Sequence, residues 1–555
     1  MSLQSELSVW LQNAWSATPL SSYPIHAWEI CARPELGDLT FTGAFLAAKQ
    51  MKANPKNIAE QLCEQLTPHP LVTKVSIAGP GYINITLSPL AWEQLPNLEP
   101  FDTVSIPAPT LVEFVSANPT GPLHLGHARQ AVLGSVLVAL LKRLGGTVGS
   151  EFFYNDAGVQ MQCLEKSLHL RNQELHGATL AFERDEDHDP NKILFSKDLY
   201  HGTYVKDLAA LAPQNNLLAF AVSAIQNQQI EDLKDLGVEF DAFTSEQFLY
   251  NEGWVDKAVQ HLLPHTYTAS HAKQETAASK PVATYLNTSN FGDDKDRVMI
   301  KSDGSYTYFV PDVAYHLYKW ERGWVNAINI QGSDHHGTLK RVQAGVAYAN
   351  PSIPHPYPKV MFHTMIKVVK NNQAVKASKR AGDYITLKDM LDDLGKDALR
   401  MSMLESKPDT FMTLDIDQWL DNKPNNPMYS IQYAFARIAS ALTKAQDNTG
   451  EHTAAWTAAE QHLFKTLLLW DNNLNALAVH HDPTGVSGLT KQLAAAIHDA
   501  YQNGPKWYTL NDECKQQRIG LFTCAQNALQ NACNILGINP YNCEVLTFSE
   551  NKNKI

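Results

Sequence analysis

Residues 111–145, LVEFVSANPTGPLHLGHARQAVLGSVLVALLKRLG, decide the fold of this chain. Apolar residues at 111–115 predict a short buried strand, and the proline- and glycine-punctuated stretch 118–122 ends it. From Ala128 onward apolar residues recur at helical spacing, and Gly145 marks the end of the helix. Strand, loop and helix in this order form the first half of an α/β nucleotide-binding unit. Such a loop presents its ligand to a helix N-terminus, where unpaired N–H groups and the macrodipole favour anions.

The composition is that of an ordinary soluble protein, with 44% apolar and 18% charged residues among 555. No apolar run is long enough to span a bilayer, and MSLQSELSVWLQ at the N-terminus lacks a signal-peptide pattern. The seven cysteines are scattered without a CxxC pair, which disfavours a zinc knuckle or a disulfide framework and fits a cytoplasmic location. The net charge of −12 counts against a polyanionic partner unless basic side chains are locally concentrated.

The order of elements predicts a multidomain α/β protein with three parts. Residues 1–105 have the pattern of a small α+β module, in which Pro55 suits the first turn of a helix. Residues 106–425 predict a Rossmann-type parallel-sheet core, interrupted by an insertion at about 165–290. Residues 426–555 show repeated helical spacing of apolar residues and predict an all-α bundle. After the insertion, strand signals of the core lie at 296–310, 326–337 and 359–369.

Two histidines, His124 and His127, lie in the opening loop on either side of Gly126. An HxxH pair is more often incidental or structural than catalytic, and metal ligation is a further option. A third conventional metal ligand is not obvious here. A helix N-terminus, imidazole N–H donors and a glycine that allows close approach suit a triphosphate better, so we expect these three residues to contact such a ligand.

A second candidate is the cationic loop 375–383, which contains Lys376, Ser378 and Lys379. A cluster of lysine and arginine is usually a solvated surface. A mobile cationic loop that closes on the phosphates would instead stabilise the charge that develops on pyrophosphate as it leaves. The hypothesis is therefore a triphosphate site that uses both lysines together with the two histidines as catalytic residues.

These segments resemble the two signatures of class I aminoacyl-tRNA synthetases. HLGH at 124–127 is similar to HIGH, and KASKR at 376–380 is similar to KMSKS, with Ala377 for Met and Arg380 for Ser. Longer strings, including VEFVSANPTGPLHLGHAR, YNDAGVQMQ, IQGSDHHG and DALRMSML, resemble bacterial arginyl-tRNA synthetases over nearly the whole chain. The N-terminal module resembles that family's additional, tRNA-contacting domain. The C-terminal bundle resembles its anticodon-binding domain, opened by DALR at 397–400.

The resemblance implies an arginine–tRNA ligase that activates L-arginine with ATP and transfers it to the terminal adenosine of tRNA(Arg). It also implies that tRNA is bound before activation. We expect Mg²⁺ to be carried by ATP, no structural metal, no membrane partner and a monomer. In the bundle, Tyr429, Gln432 and Arg437 are candidates for stacking on RNA bases.

The residues themselves support arginine as the substrate. Its guanidinium is a permanent planar cation, so a selective pocket needs carboxylates in fork geometry. Glu113 ends the first strand, and Asp312 follows the strand-like run YTYF, where the ring of Tyr308 can pack on the guanidinium. The ordinary alternatives are a strand-end surface charge for Glu113 and a helix cap for Asp312.

The resemblance assigns Ser116, Asn118 and His127 to the amino and carboxylate ends of arginine, and Tyr308 and Asp312 to its side chain. The last polar contact is left open among Gln331, Ser333 and Asp334, of which we include Asp334 in the predicted site.

Two other classes of function remain at this point. One is a different class I synthetase or a small-molecule nucleotidylyltransferase that uses the same HxGH unit. Such a nucleotidylyltransferase would not need the N-terminal module or the helical bundle, and a cysteinyl enzyme would need a zinc site. The other is a catalytically silent tRNA-binding paralogue. The presence of both histidines and both lysines argues against it.

Overall fold

The N-terminal part is a four-stranded antiparallel sheet with helices against it. In the computed structural model, the described residues of the whole chain are 3–18, 28–94, 108–182, 192–213, 215–268, 283–375, 385–421, 423, 425–445 and 450–541. The strand order is β1-β2-β4-β3. As expected, a helix begins at Pro55, where the side chain of Asn54 caps it. The elements are α1 (Leu3–Ser16), β1 (Trp28–Ile30), β2 (Leu39–Phe41), α2 (Gly43–Met51), α3 (Pro55–Gln65), β3 (Val72–Ala78), β4 (Tyr82–Leu87) and α4 (Pro89–Glu93).

The unit Ser105–Leu420 contains the predicted α/β core. Its first half comprises β5 (Thr110–Glu113), α5 (Leu125–Arg143), β6 (Val148–Tyr154), α6 (Val159–Leu175), β7 (Leu180–Phe182), β8 (Ile193–Phe195), α7 (Thr203–Leu211), α8 (Leu217–Asp235), β9 (Ala242–Ser245), α9 (Glu246–Asn251) and α10 (Trp254–Leu262). Its second half comprises β10 (Thr266–Thr268), β11 (Thr284–Leu286), β12 (Arg297–Ile300), α11 (Phe309–Glu321), β13 (Asn326–Gly332), α12 (His336–Ala349), β14 (Lys359–His363), β15 (Ile366–Lys370), β16 (Gln373–Ala374), α13 (Leu387–Leu394), α14 (Lys396–Met403), β17 (Met412–Asp415) and α15 (Ile416–Leu420).

The central sheet of this unit is five-stranded and wholly parallel, in the order β14-β13-β5-β6-β9. The chain runs outward from β5 to β6 and β9, then returns to the other side of β5 for β13 and β14. The direction of winding therefore reverses between β5 and β13. In an open parallel sheet, the crevice at the carboxyl ends of the strands at such a reversal is where ligands bind.

Three details of the core differ from the sequence-based expectation. The apolar run 359–369 is two strands in different sheets, because the chain turns at Thr364. There the Thr364 backbone N–H bonds to Pro408 O, and the Thr364 carbonyl accepts from the buried guanidinium of Arg129. The run YTYF is no strand, since α11 already begins at Phe309 and tolerates Pro311 in its first turn.

The third difference concerns the range 165–290, which was predicted as an insertion. It supplies β9, the edge strand of the central sheet. The rest of this range includes α7 and α8, which pack with α6 around a small hydrophobic core of their own. That core consists of Leu164, Leu168, Val205, Ala209, Leu217, Ala221 and Ile225.

The last part of the chain is a helix bundle, as predicted. Its helices are α16 (Pro427–Lys444), α17 (Ala458–Leu468), α18 (Trp470–Val479), α19 (Pro483–Asn503) and α20 (Asp512–Leu536). Residues Ile431, Phe435 and Ile438 are buried at their helical spacing. Residues Met1–Val104 and Asp421–Ile555 form one compact unit. Within it, the Lys465 ammonium lies 3.4 Å from the Asp38 carboxylate.

No helix in the part of the chain that the structure describes is long and apolar enough to cross a membrane.

Candidate active site

The two histidines cap the start of α5 with their own rings. His124 is the N-cap, and its Nδ1 accepts the backbone N–H of Gly126 at 3.1 Å. The Nδ1 of His127 accepts the backbone N–H of His124 at 3.2 Å, and the rings stack with centroids 3.8 Å apart. A neutral imidazole that accepts at Nδ1 carries its proton at Nε2. Both rings therefore offer Nε2–H donors, as the triphosphate hypothesis requires.

The loop between β5 and α5, residues 114–124, is called the β5–α5 loop below. It begins with backbone in the left-handed region, at φ 68° for Val115 and 40° for Ser116. This conformation is unfavourable for a β-branched valine, and such strain concentrates at functional sites. The Ser116 hydroxyl donates to Glu113 at 2.9 Å and accepts the Phe153 backbone N–H at 3.2 Å. The turn thus places the Ser116 side chain between the end of β5, at Glu113, and β6, at Phe153.

Glu113 is buried, with 6% of its surface exposed, and its charge is balanced within the protein. The ammonium of Lys319, which is fully buried, donates to its second carboxylate oxygen. Lys319 also lies 3.3 Å from the Asn329 side-chain oxygen and 4.1 Å from the centroid of the Tyr315 ring. Glu113 is therefore no surface charge. Its negative charge is already paired, so the free charge needed for a guanidinium must come mainly from other carboxylates.

Two such carboxylates are Asp312 and Glu246. Burial raises the pKa of Asp312 to about 7, with further contributions from Glu246 and Glu113 against the opposing charges of Lys319 and Arg341. Burial and Asp156 likewise raise the pKa of Glu246 to about 7. Asp312 lines the cavity described below, and Glu246 does not. Carboxyl groups with strongly raised pKa values near a cleft are candidates for binding a cation, whose arrival would stabilise their charged forms.

Glu246 was missed by the sequence reasoning. It is the first residue of α9, directly after β9, and therefore lies at the carboxyl edge of the central sheet. Its position within the range 165–290 concealed it, because that range was treated as an insertion outside the sheet. The short run AFTS (242–245) followed by an acidic residue was the available signal.

A cavity of about 150 Å³ lies at the reversal of the sheet, between the ends of β5 and β13. Its lining includes Glu113, Val115, Ser116, Gln130, Asp312, Tyr315, His316, Asn329, Gln331, Gly332, His335 and Thr338. Of the residues left open for the last polar contact, Gln331 faces this cavity. Asp334 does not line it, since its side chain is 83% exposed in the turn after β13. Tyr308 is also outside the lining, with 69% of its surface exposed at the start of α11.

Gln130 and His363 form a further pair that the sequence reasoning missed. The Gln130 amide nitrogen lies 3.0 Å from His363 Nε2, and His363 Nδ1 lies 3.1 Å from the Thr364 carbonyl. Burial lowers the pKa of His363 to about 4, so its ring is neutral near pH 7. The carbonyl requires the proton on Nδ1, and Nε2 then accepts from Gln130. This arrangement leaves the Gln130 side-chain oxygen as an acceptor in the lining of the cavity.

Asn118 lies at the open side of the β5–α5 loop. Its side-chain nitrogen donates to Gln160 of α6, and both groups are exposed. A ligand could replace this bond at small cost, because both amides can return to water.

Lys376, Ser378 and Lys379 lie outside the described residues. The chain is described again from residue 385. Thr386 forms an isolated antiparallel bridge with His124, and the Leu387 backbone N–H donates to Leu123 O at 2.8 Å. Lys379 precedes Thr386 by seven residues, which span at most about 25 Å when fully extended.

DALR at 397–400 lies in α14, within the unit that holds the sheet rather than in the bundle. Arg400 is 1% exposed, and its guanidinium donates to Leu236 O at 3.1 Å and to the Ser135 hydroxyl at 3.0 Å. This arginine therefore ties α14 to α8 and α5. Its role in the described structure is packing.

The helix bundle presents an aromatic and basic cluster on α16 and α19. Tyr429 and Tyr433 stack with centroids 5.7 Å apart, and the Arg437 guanidinium lies 4.3 Å from the centre of the Tyr433 ring and 5.2 Å from that of Tyr501. His498 joins them, 3.4 Å from Arg437. Planar rings with an arginine are the usual means of holding unstacked RNA bases. Gln432, also a candidate, is 7% exposed and turned into the bundle.

Comparison with known proteins first defines the class. Residues 108–424 match the model of the class I tRNA synthetase catalytic domain (R), residues 4–87 match the arginyl-tRNA synthetase N-terminal domain, and residues 431–543 match the DALR anticodon-binding domain. The fold also matches the arginyl-tRNA synthetase of Thermus thermophilus, with a TM-score of 0.74, 20% identity, and coverage of 97% of this chain and 99% of that one.

The sequence relatives narrow the class to one family. The arginine–tRNA ligase of Delftia acidovorans is 37% identical over 539 residues, covering 90% of this chain and 92% of its own length. That of Methylibium petroleiphilum is 36% identical over 574 residues, covering 96% of this chain and 98% of its own. The chain belongs to the arginyl-tRNA synthetase family.

Proposed function

We propose that this protein is an arginine–tRNA ligase, which activates L-arginine with ATP and transfers it to the 3′-terminal adenosine of tRNA(Arg). The observation that carries the proposal is the pairing of two kinds of group. Asp312 and Glu246 are carboxyls with pKa values near 7, suited to a guanidinium. His124 and His127 present Nε2–H donors at a helix start, suited to phosphates.

Arginine is held at the reversal of the sheet. Its guanidinium binds Asp312 and contacts Gln331, which we favour over Asp334 because Gln331, like Asp312, lines the cavity. Glu246 lies outside that lining, and we propose it as the second carboxylate because its charge acts on Asp312. Ser116 and Asn118 bind the amino and carboxylate ends. Glu113 keeps Ser116 in place through its 2.9 Å hydrogen bond. Tyr308 is exposed at the rim and covers the guanidinium from outside only if its ring turns inward on binding.

ATP lies at the start of α5, with Gly126 permitting close approach of its base. One carboxylate oxygen of arginine attacks the α-phosphorus, and the bond from that phosphorus to the bridging oxygen of pyrophosphate breaks. His124 and His127 donate from Nε2 to the phosphate oxygens, while Lys376 and Lys379 balance the charge that accumulates on pyrophosphate. Ser378 contributes a hydroxyl contact. Arginyl-adenylate is the product, and no protein nucleophile takes part.

Mg²⁺ would neutralise phosphate charge when bound. Among the described residues there is no group of three or more His, Cys, Asp or Glu side chains that could hold a metal ion. We propose that Mg²⁺ arrives on the phosphate oxygens of ATP.

The tRNA supplies the acceptor for the second step. A hydroxyl of its terminal ribose attacks the activated carbonyl, the bond from that carbon to the phosphate oxygen breaks, and AMP leaves with its electron pair while the hydroxyl proton passes to a phosphate oxygen of AMP. The stacked cluster of Tyr429, Tyr433 and Arg437 supports an RNA-binding face on the bundle. Action as a cytoplasmic monomer stays a prediction, which analytical ultracentrifugation and fractionation of cells test.

ATP–pyrophosphate exchange with each of the twenty amino acids, with and without bulk tRNA, tests the proposal. We expect exchange with arginine when tRNA is present. Exchange with another amino acid would identify a different synthetase. Absence of any exchange and of arginyl-tRNA formation, while tRNA still binds, would identify a silent tRNA-binding protein.

A further inference from the structure

The β5–α5 loop is held by side chains from α7 and α8. The Gln229 side-chain nitrogen donates to two backbone carbonyls of this loop, Asn118 O at 3.1 Å and Gly121 O at 2.8 Å. The Tyr204 hydroxyl donates to a third, Thr120 O, at 2.6 Å. Gln229 is 1% exposed, so these bonds are made away from water.

The two carbonyls fix the orientation of the Gln229 amide. Both are acceptors, so only the NH₂ side of the amide can face them. A buried backbone carbonyl needs a donor, and the loop has little regular structure to supply one. Because the same loop begins with left-handed backbone at Val115 and Ser116, it keeps that strained course only if bonds from outside hold it.

Gln229 is itself firmly anchored. Its helix α8 packs with α6 and α7 through a shared apolar core, in which Ile225 lies one turn before Gln229. The β5–α5 loop is therefore held against a preassembled group of three helices. Rigid elements of this kind position substrate-binding groups more accurately than a loop alone can.

We infer that Gln229 is a positioning residue for amino-acid activation, an inference that rests on the proposed function. It touches no substrate. By holding the carbonyls of Asn118 and Gly121, it places the Asn118 side chain, and Ser116 before it, at the correct distance from Asp312. The start of α5 is fixed separately by its two histidine caps, so the ATP site depends less on Gln229.

The test is Gln229→Met, which keeps the length and volume of the side chain and removes both N–H donors. In ATP–pyrophosphate exchange with saturating tRNA, we expect KM for arginine to rise roughly ten- to a hundred-fold, the range that follows from misplacing a binding group by about 1 Å. KM for ATP should stay near its wild-type value. Gln229→Glu should raise KM for arginine further, because its carboxylate would face two carbonyl oxygens.

Two further variants complete the design. Gln226→Met, the same change one turn away on α8, is the matched control and should leave both KM values unchanged. Tyr204→Phe removes the third donor and should raise KM for arginine by a smaller factor. KM does not depend on the folded fraction of the enzyme, so partial unfolding of a variant cannot imitate the result.

The outcomes separate the two proposals. A Gln229→Met enzyme with wild-type KM for arginine overturns the positioning role, as does an equal rise in KM for arginine and ATP. Absence of arginine-dependent exchange in the wild-type enzyme overturns the proposed function instead.

Discussion

If Asp312 and Glu246 bind arginine as proposed, its affinity should depend steeply on pH, because burial raises the pKa of each carboxyl to about 7 in the free protein. A guanidinium binds only their ionised forms well. With a pKa of about 7, each carboxyl is ionised in about one molecule in eleven at pH 6 and in about ten of eleven at pH 8. If both must be ionised, the Kd for arginine should fall about 100-fold between these pH values.

The sign of the effect follows from the direction of the pKa shifts. Folding raises the pKa of both carboxyls, so the folded protein still holds protons that the unfolded chain has already released. The stability of the folded protein therefore falls as the pH rises from the ordinary carboxyl pKa range to pH 7. Bound arginine stabilises the ionised carboxylates. Arginine should therefore raise Tm more at pH 8 than at pH 6, and its binding at pH 7 should release about one proton.

Isothermal titration calorimetry of arginine binding in buffers with different ionisation enthalpies measures both the Kd and the protons released. Asp312→Asn should reduce the pH dependence from about 100-fold to about tenfold, Glu246→Gln should reduce it to below tenfold, and each should weaken binding at pH 8. Glu246→Gln should also lower the pKa of Asp312, because Glu246 is one of the charges that raise it. A Kd that is constant from pH 6 to pH 8, with no proton released, would refute this account of the pocket.

Three other changes have definite expected results. His127→Ala removes a phosphate donor and a helix cap, and kcat for pyrophosphate exchange should fall roughly 100-fold or more; wild-type kcat would exclude this residue from the mechanism. Arg437→Ala should weaken tRNA binding in a filter assay about 5- to 100-fold, the range for loss of one stacking partner. Arg437→Lys keeps the charge and should recover only part of the lost affinity. Equal tRNA binding by the wild-type protein and both variants would place the RNA elsewhere. The buried Glu460 carboxylate lies 2.9 Å from Arg518, and Arg518→Met leaves it without this cationic partner. The free energy of unfolding should fall by about 3–5 kcal/mol in urea titrations. A loss below about 1 kcal/mol would contradict the importance of this pair.

Residues 111–145 show how much of the local structure could be predicted from the sequence. Strand, loop and helix were predictable because apolar spacing, glycine and proline act locally, and β5 and α5 confirm the prediction. The roles of the histidines were predictable only in part. Sequence placed His124 and His127 at a helix start, but their use of Nδ1 as caps depends on ring orientations that no spacing encodes.

The substrate pocket was harder to predict because it is assembled from distant segments. Glu113 was expected to bind the guanidinium, yet its charge is paired with Lys319, which lies 206 residues later in the chain. Glu246 emerged only once β9 was seen to join the central sheet. A carboxylate's local sequence does not reveal whether a distant lysine has already neutralised it, and this pairing decides which carboxylates remain available for a cation.

Arg129, which directly follows HLGHA, has a consequence for the electrostatic potential of the site. It is fully buried, and its guanidinium donates to the carbonyls of Thr364, Ser406 and Lys407. The charge of the Asp409 carboxylate acts on Arg129 and partly offsets the lowering of its pKa by burial. Burial lowers its pKa only to about 10, so it stays cationic at neutral pH. Two helical residues beyond His127, it is a permanent source of positive potential behind the proposed phosphate site and would attract ATP without contacting it.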